Sequence, residues 1–224
     1  MKKIFALALA LVMAMGLVAC SATVNVMSYE DYMAAEMETE VIIEAYVQGK
    51  QSWWDNKATV YAQDENGGYF MYEMACSEED YAKLTEGTKI QVTGHKTAWE
   101  GEVEIVDATF TIVEGSWIAE PTDVTALLGT EELINHQNKK VVFKGMTVEN
   151  VSYKNDEPGD DIYVTVSKDG VSYDFCVEIY LTGEDTAVYQ AVGELKTGDV
   201  VDIEGFLYWY QGVNTHITGV SAAQ

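Results

Sequence analysis

The chain has 224 residues, with 13 basic residues, all lysine, against 37 acidic ones, for a net charge of −24. Affinity for polyanions comes largely from Lys and Arg neutralising phosphates, so this balance disfavours nucleic acid as a partner and disfavours adhesion to anionic lipid by charge. The charge suits a soluble exported surface, and 48% hydrophobic residues are enough to fill one large core or two small ones.

Lys2 and Lys3 precede an apolar run from Ile4 to Val18, the pattern of a secretory signal and too short to span a bilayer comfortably. The run ends in Leu17-Val18-Ala19-Cys20, which resembles a bacterial lipobox. Residues 1–20 then form a lipoprotein signal peptide ending at the lipidation site Cys20, and residues 21–27 form a tether. The expected address is the outer face of the cytoplasmic membrane, with the membrane contacted through lipid on Cys20.

Ser28 has the position of an N-cap for a short helix to Glu38, and a first strand follows at Val41–Val47. The connection 48–56 carries Trp53 and Trp54. Strand two, Lys57–Gln63, turns through Asp64-Glu65-Asn66-Gly67-Gly68 into strand three, Tyr69–Met74. Ser77, with Asp80 at the capping-box position, opens a helix to Lys83. A turn at Gly87, strand four, a connection with Trp99 and Gly101, and strand five, Glu102–Val113, complete a first unit over residues 28–116. Pro121 marks the boundary. A second unit, 123–224, repeats the plan: a helix from Asp123 to about Asn138, strand one at Val141–Val148, a polar loop 149–160, and strands at Asp161–Ser167 and Val171–Leu181. A helix over 184–192, a turn at Gly198, strand four, and a last strand at Val213–Val220 follow.

One stretch occurs twice: LTEGTKIQVTG from Leu84 to Gly94 and LKTGDVVDIEG from Leu195 to Gly205, with Leu84/Leu195, Gly87/Gly198 and Gly94/Gly205 at one constant offset. Five strands with a helix between the third and fourth is the order of an OB-fold. The expected class is mainly β: two tandem OB-fold-like five-stranded Greek-key barrels with short helices. An immunoglobulin-like sandwich would want about seven strands and no helix midway. Cys76 and Cys176, one per unit, read as buried free thiols or as an interdomain disulfide.

VYAQDENGGYFMY, the L-x-x-G strand motif and GEVEI together resemble the OB-fold domains of bacterial exported proteins. As a whole the chain is similar to cell-envelope lipoproteins of gut-type Firmicutes with tandem extracellular OB-fold-like domains. The resemblance implies fold and location and carries no activity.

OB barrels bind through the face of strands two and three and through the loops joining strands one to two and four to five. Those places hold Trp53, Trp54, Tyr61, Tyr69, Tyr72 and Trp99 in the first unit and Tyr153, Tyr163, Tyr173, Tyr208, Trp209 and Tyr210 in the second. Rings there can stack on sugars or bases, or can simply close a core. If the 53–54 segment is extended, its two tryptophans point to opposite sides, so one is expected at a contact surface. The acidic stretches lack the spacing of a calcium loop, and no metal or cofactor is expected. His95, His136 and His216 are scattered, and no nucleophile elbow or zinc-helix motif occurs, so no catalytic residue is assigned and no enzyme is expected. The resulting expectation is a non-catalytic surface lipoprotein recognising a protein or glycan through loop aromatics. The alternatives are a nucleic-acid-binding OB protein and a structural subunit of the envelope.

Overall fold

The computed structural model describes residues 25–223. The leader, Cys20 and most of the tether lie outside the described residues. In chain order the elements are α1 (Tyr29–Ala34), β1 (Glu40–Lys50), β2 (Lys57–Gln63), β3 (Gly68–Ala75), α2 (Glu78–Lys83), β4 (Thr88–Trp99) and β5 (Glu102–Ser116). The short β6 (Thr122–Asp123) precedes β7 (Lys140–Tyr153), β8 (Ile162–Lys168), β9 (Val171–Val177), α3 (Ile179–Thr182), α4 (Ala187–Gly193), β10 (Val200–Phe206) and β11 (His216–Ala222).

The protein is mainly β. The first five strands close a barrel in the order β1-β2-β3-β5-β4. Its one parallel contact pairs β3 with β5 at Met71 and Ile105. Strands β7-β8-β9-β11-β10 repeat that order, and pairing of β10 with β7 closes the ring. Here too the parallel contact joins strands three and five, at Cys176 and His216. Both are OB-fold-like Greek-key barrels. Alternation fills them: Val41, Ile43, Ala45 and Val47 point into the first, and Val141, Phe143, Met146 and Val148 into the second.

The repeated stretch does the same job twice. Gly87 and Gly198, at φ of 87° and 95°, turn the chain so that each amide donates to the end of strand one, at Val47 O (2.7 Å) and Val148 O (2.8 Å). Gly94 and Gly205 lie where strands four and five cross closely. An added Cβ would sit 2.6 Å from Ile105 Cγ2 at the first and 2.3 Å from His216 O at the second.

Four expectations change. The helix from Asp123 to Asn138 is replaced by two 3-10 turns, Thr125–Leu127 and Leu133–His136. Asp123 is not the cap: it ends β6 and accepts from the Thr125 amide (3.1 Å) and hydroxyl (2.7 Å), while Val124 precedes the first turn and Gly129-Thr130 separates it from the second. Strand β7 extends to Tyr153 through much of the expected polar loop. The third strand of the second barrel ends at Val177 because the Glu178 carboxylate caps α3, accepting from Tyr180 N and Leu181 N. The last strand starts at His216. Cys76 and Cys176 are both free and buried.

The barrels meet along a seam. Tyr61, Phe70 and Phe206 form a buried cluster, with Tyr61 and Phe206 stacked at 4.3 Å and 4°. The fully buried Tyr61 hydroxyl and His216 Nδ1 lie 2.9 Å apart. Burial lowers the His216 pKa to about 4, so its ring is neutral. The loops after the two fourth strands join: Gln211 N donates to Glu100 O (2.7 Å) and Gln211 Nε2 to Glu100 Oε2 (2.9 Å).

Candidate functional site: an aromatic cleft on the seam

Two local irregularities build the cleft. Trp54 and Lys57 bond reciprocally, N to O at 3.2 and 2.8 Å, around Asp55 and Asn56 at φ of 45° and 59°. Positive φ at both central residues is the requirement of a tight two-residue turn of the type that suits a hairpin, and Asp and Asn tolerate it. The turn fixes Trp54 at the rim, 76% exposed, while Trp53 is half buried and donates from Nε1 to Cys76 O (2.9 Å).

The second irregularity is a bulge. The β2–β3 register shifts between Ala58/Met74 and Val60/Met71, so Tyr72 and Glu73 together oppose Thr59. Glu73, at φ 49°, donates from its amide to Thr59 Oγ1 (3.1 Å), and its carboxylate pairs with Lys57 at 2.7 Å. The bulge lifts Tyr72 to 45% exposure. Tyr180 closes the far wall from the first turn of α3, 62% exposed, its carbonyl accepting from Ser52 N at 2.6 Å. Trp53, Trp54, Tyr72 and Tyr180, with Gln51, Ser52, Lys57, Thr59 and Glu73, surround about 440 Å³. Burial, then the Glu73 and Glu104 charges, push the Tyr72 phenol up, so it stays a neutral hydrogen-bonding ring.

Of the twelve aromatic residues expected at the contact surface, the cleft gathers Trp53, Trp54 and Tyr72. Two are corrected outright. Tyr61 is 0% exposed because the second barrel covers that face of β2. Tyr69 is also 0% exposed, packed on Tyr32 at 5.1 Å and donating to Asp64 Oδ2 at 3.0 Å. Tyr153, Tyr173 and Trp209 pack against the second core, and Tyr208 stacks on His216 at 4.3 Å. Trp99 and Tyr210 form a separate exposed pair, 5.2 Å apart, and Tyr163 stands alone on β8 at 42% exposure. Tyr180, Lys57 and Glu73 escape a sequence reading that follows aromatics in loops. The Asp55-Asn56 dipeptide was the available signal for the turn.

No family model matches the chain. No curated protein matches it. Among solved structures, it is similar to a murine DNA-binding protein bound to double-stranded DNA, at 10% identity and a TM-score of 0.41, over 82% of this chain and 96% of that one. A p202 HIN1 domain in complex with 12-mer double-stranded DNA is similar over 88% of this chain and 99% of that one, at 10% identity and a TM-score of 0.39. An asparaginyl-tRNA synthetase from Pyrococcus horikoshii complexed with asparaginyl-adenylate matches 38% of this chain at 20% identity and a TM-score of 0.31, and the match spans only 19% of the synthetase. The expectation that nucleic acid is an unlikely partner is corrected to this extent: two of these neighbours were solved on DNA duplexes.

Proposed function

We propose that the chain is a non-catalytic binding protein that takes a segment of an oligosaccharide into the seam cleft by stacking sugar rings on Trp54, Tyr72 and Tyr180. The observation that carries this is Trp54, held 76% exposed by a stiff two-residue turn. A large ring left in water without a partner marks a contact site, and a fixed one loses little entropy on binding. The polar groups of the cleft suit hydroxyl recognition: its lysine is already paired with Glu73, and Gln51, Ser52 and Thr59 offer neutral donors and acceptors. The leader and Leu17-Val18-Ala19-Cys20 support placing this cleft outside the cell, tethered by lipid on Cys20.

A single-stranded oligonucleotide is the second reading. OB barrels use their first loop and their second and third strands for oligonucleotides as well as oligosaccharides, and the stacking rings serve either. Calorimetry with a chitin oligosaccharide and with a mixed-sequence DNA strand, on wild type and Trp54→Ala, separates them. The glycan reading expects sugar binding that Trp54→Ala weakens about tenfold, in line with the ~1–3 kcal/mol of a stacked ring. DNA binding with a steep salt slope and no sugar binding would establish the second reading instead, and unchanged sugar binding in Trp54→Ala would remove the cleft from either.

A further inference from the structure

The device that presents Trp54 occurs a second time in the first barrel. Trp99 pairs with Glu102 across Glu100 and Gly101, at φ of 51° and 98°, as Trp54 pairs with Lys57 across Asp55 and Asn56. In each case a tryptophan stands just before a two-residue turn with positive φ at both positions, and it is left exposed, at 76% for Trp54 and 52% for Trp99. The two turns lie at opposite ends of β3. Lys57 pairs with Ala75 at its close, and Glu102 comes three residues before the Ile105 that pairs with Met71, level with Gly68 at its start. Over the 8 residues of that strand the turns stand on the order of 20 Å apart.

Rings mark the way between them. Phe70 lies 6.5 Å from Tyr72 of the cleft, and Tyr208 of the second barrel packs edge-on over Phe70 at 5.5 Å. The segment Tyr208-Trp209-Tyr210 then crosses the outside of the first barrel strand by strand: Tyr208 on Phe70 of β3, Trp209 N donating to Glu102 Oε2 of β5 at 2.9 Å, and Tyr210 at 5.2 Å from Trp99 of β4. Trp209 packs onto the second core, which leaves Tyr208 half-buried and Tyr210 47% exposed on either side of it. The two hydrogen bonds from Gln211 to Glu100 tie the loops together, so this pair is fixed in place as Trp54 is, and stacking on it costs little entropy.

We infer that Trp99 and Tyr210 form a second stacking subsite for the polymer held in the seam cleft, so that the ligand is an oligosaccharide long enough to lie along the seam from Trp54 to Trp99. This rests on the oligosaccharide reading and sets the size of its ligand. A disaccharide held in the cleft stops short of the pair, whereas a hexasaccharide reaches both. The second contact is intramolecular once the first has formed, so it tightens binding without a second cost of association.

The test measures, by calorimetry on the full chain, binding of a chitin disaccharide and a chitin hexasaccharide to wild type, Trp99→Ala and Tyr210→Ala, with Trp54→Ala as the marker of the cleft. Each of the first two variants should bind the hexasaccharide about tenfold more weakly than wild type, as the loss of one stacked ring supplies, and the disaccharide at the wild-type level. Hexasaccharide binding that both variants leave unchanged overturns the inference, and the oligosaccharide reading stands if Trp54→Ala still weakens that binding. Disaccharide binding that falls in Trp99→Ala as far as hexasaccharide binding does also overturns it, because the pair is then a site in its own right and not an extension of the cleft. Failure of both sugars to bind overturns the inference and the oligosaccharide reading together. Should Trp99→Ala or Tyr210→Ala lower the melting temperature, the indole N–H resonance of Trp99 in wild type decides the same question: a shift with the hexasaccharide and none with the disaccharide supports the second subsite, and a shift with both or with neither refutes it.

Discussion

Lys96 shows how one backbone position accepts opposite chemistry. Glu38 N donates to Lys96 O and Lys96 N to Thr39 O, while in the second barrel Asn138 N donates to Leu207 O and Leu207 N to Lys139 O. The site is buried in both, at 2% and 0%. Where the second barrel keeps leucine, the first buries a lysine stem and directs its ammonium to the end of α1: Nζ donates to the carbonyls of Tyr32 (2.9 Å), Met33 (2.8 Å) and Ala35 (2.9 Å). One charge at the dipole's negative end serves three carbonyls there, of which that of Tyr32 also accepts from Ala35 N at 3.3 Å. Lys96→Met keeps the stem and removes the head, so chemical denaturation should show a loss of about 1.5–3 kcal/mol, the range for bonds to a charged group. An unchanged midpoint would mean that the ammonium contributes nothing net. Lys96 continues the inward phase of Ile90, Val92 and Gly94, but the repeated stretch ends at Gly94, so nothing in the sequence reading singled it out.

The seam depends on the start of β5. Glu102 is 0% exposed, and its Oε2 accepts from Trp209 N (2.9 Å) and Gln137 Nε2 (3.2 Å), tying the first barrel to two segments of the second. Its Oε1 and the neighbouring Asn138 Oδ1 are both buried acceptors without a donor. Burial outweighs the Asn138 and Trp209 contacts, which favour the charged form, and raises this carboxyl's pKa to about 9, so near neutrality Glu102 holds a proton. An unfolded glutamate titrates near ~4.3, so between that pH and about 9 the folded state holds a proton that the unfolded state has released. This contribution to stability is therefore complete below the lower value and is lost as pH rises through the upper one. His216, lowered to about 4, works in the other direction, losing stability as pH falls from about 6.5 to 4. Glu178, raised by burial to about 7, adds to the decline only on the way to neutrality. Above about pH 7.5 Glu102 drives the decline, joined from about 8.5 by Cys76 and Cys176, whose thiols burial also pushes up, so the difference from Glu102→Gln is what reports Glu102. Melting temperature should fall between about pH 7.5 and about 9 in wild type and fall less in Glu102→Gln, whose amide offers a permanent donor. Equal slopes in the two proteins would show that Glu102 is ionised in the fold.

At the scale of the molecule, the second barrel covers part of the outer β2–β3 face of the first, at Tyr61 and Phe70. The repeat itself was legible: the leucines and glycines of the two stretches are spaced by turn and crossing geometry that any such barrel requires, so strand order and duplication followed from sequence. The seam was not. Alternation separates the inside of a barrel from its outside, but it cannot tell an outer face in water from one under a second barrel, and so Tyr61 reads like Tyr163. The cleft was half legible, because the adjacent tryptophans stand out while the bulge at Tyr72-Glu73 and the wall at Tyr180 arise only from tertiary pairing. The proposed function therefore uses only the end of the β2–β3 face that borders the seam. Amide hydrogen exchange of the full chain, with and without a saturating chitin oligosaccharide, tests this most directly. Exchange should slow at residues 51–57, 72–73 and 180 and stay unchanged around Tyr163 and Tyr173. Protection confined to that second-barrel face, or to the Trp99 and Tyr210 pair, would contradict the seam as the binding surface.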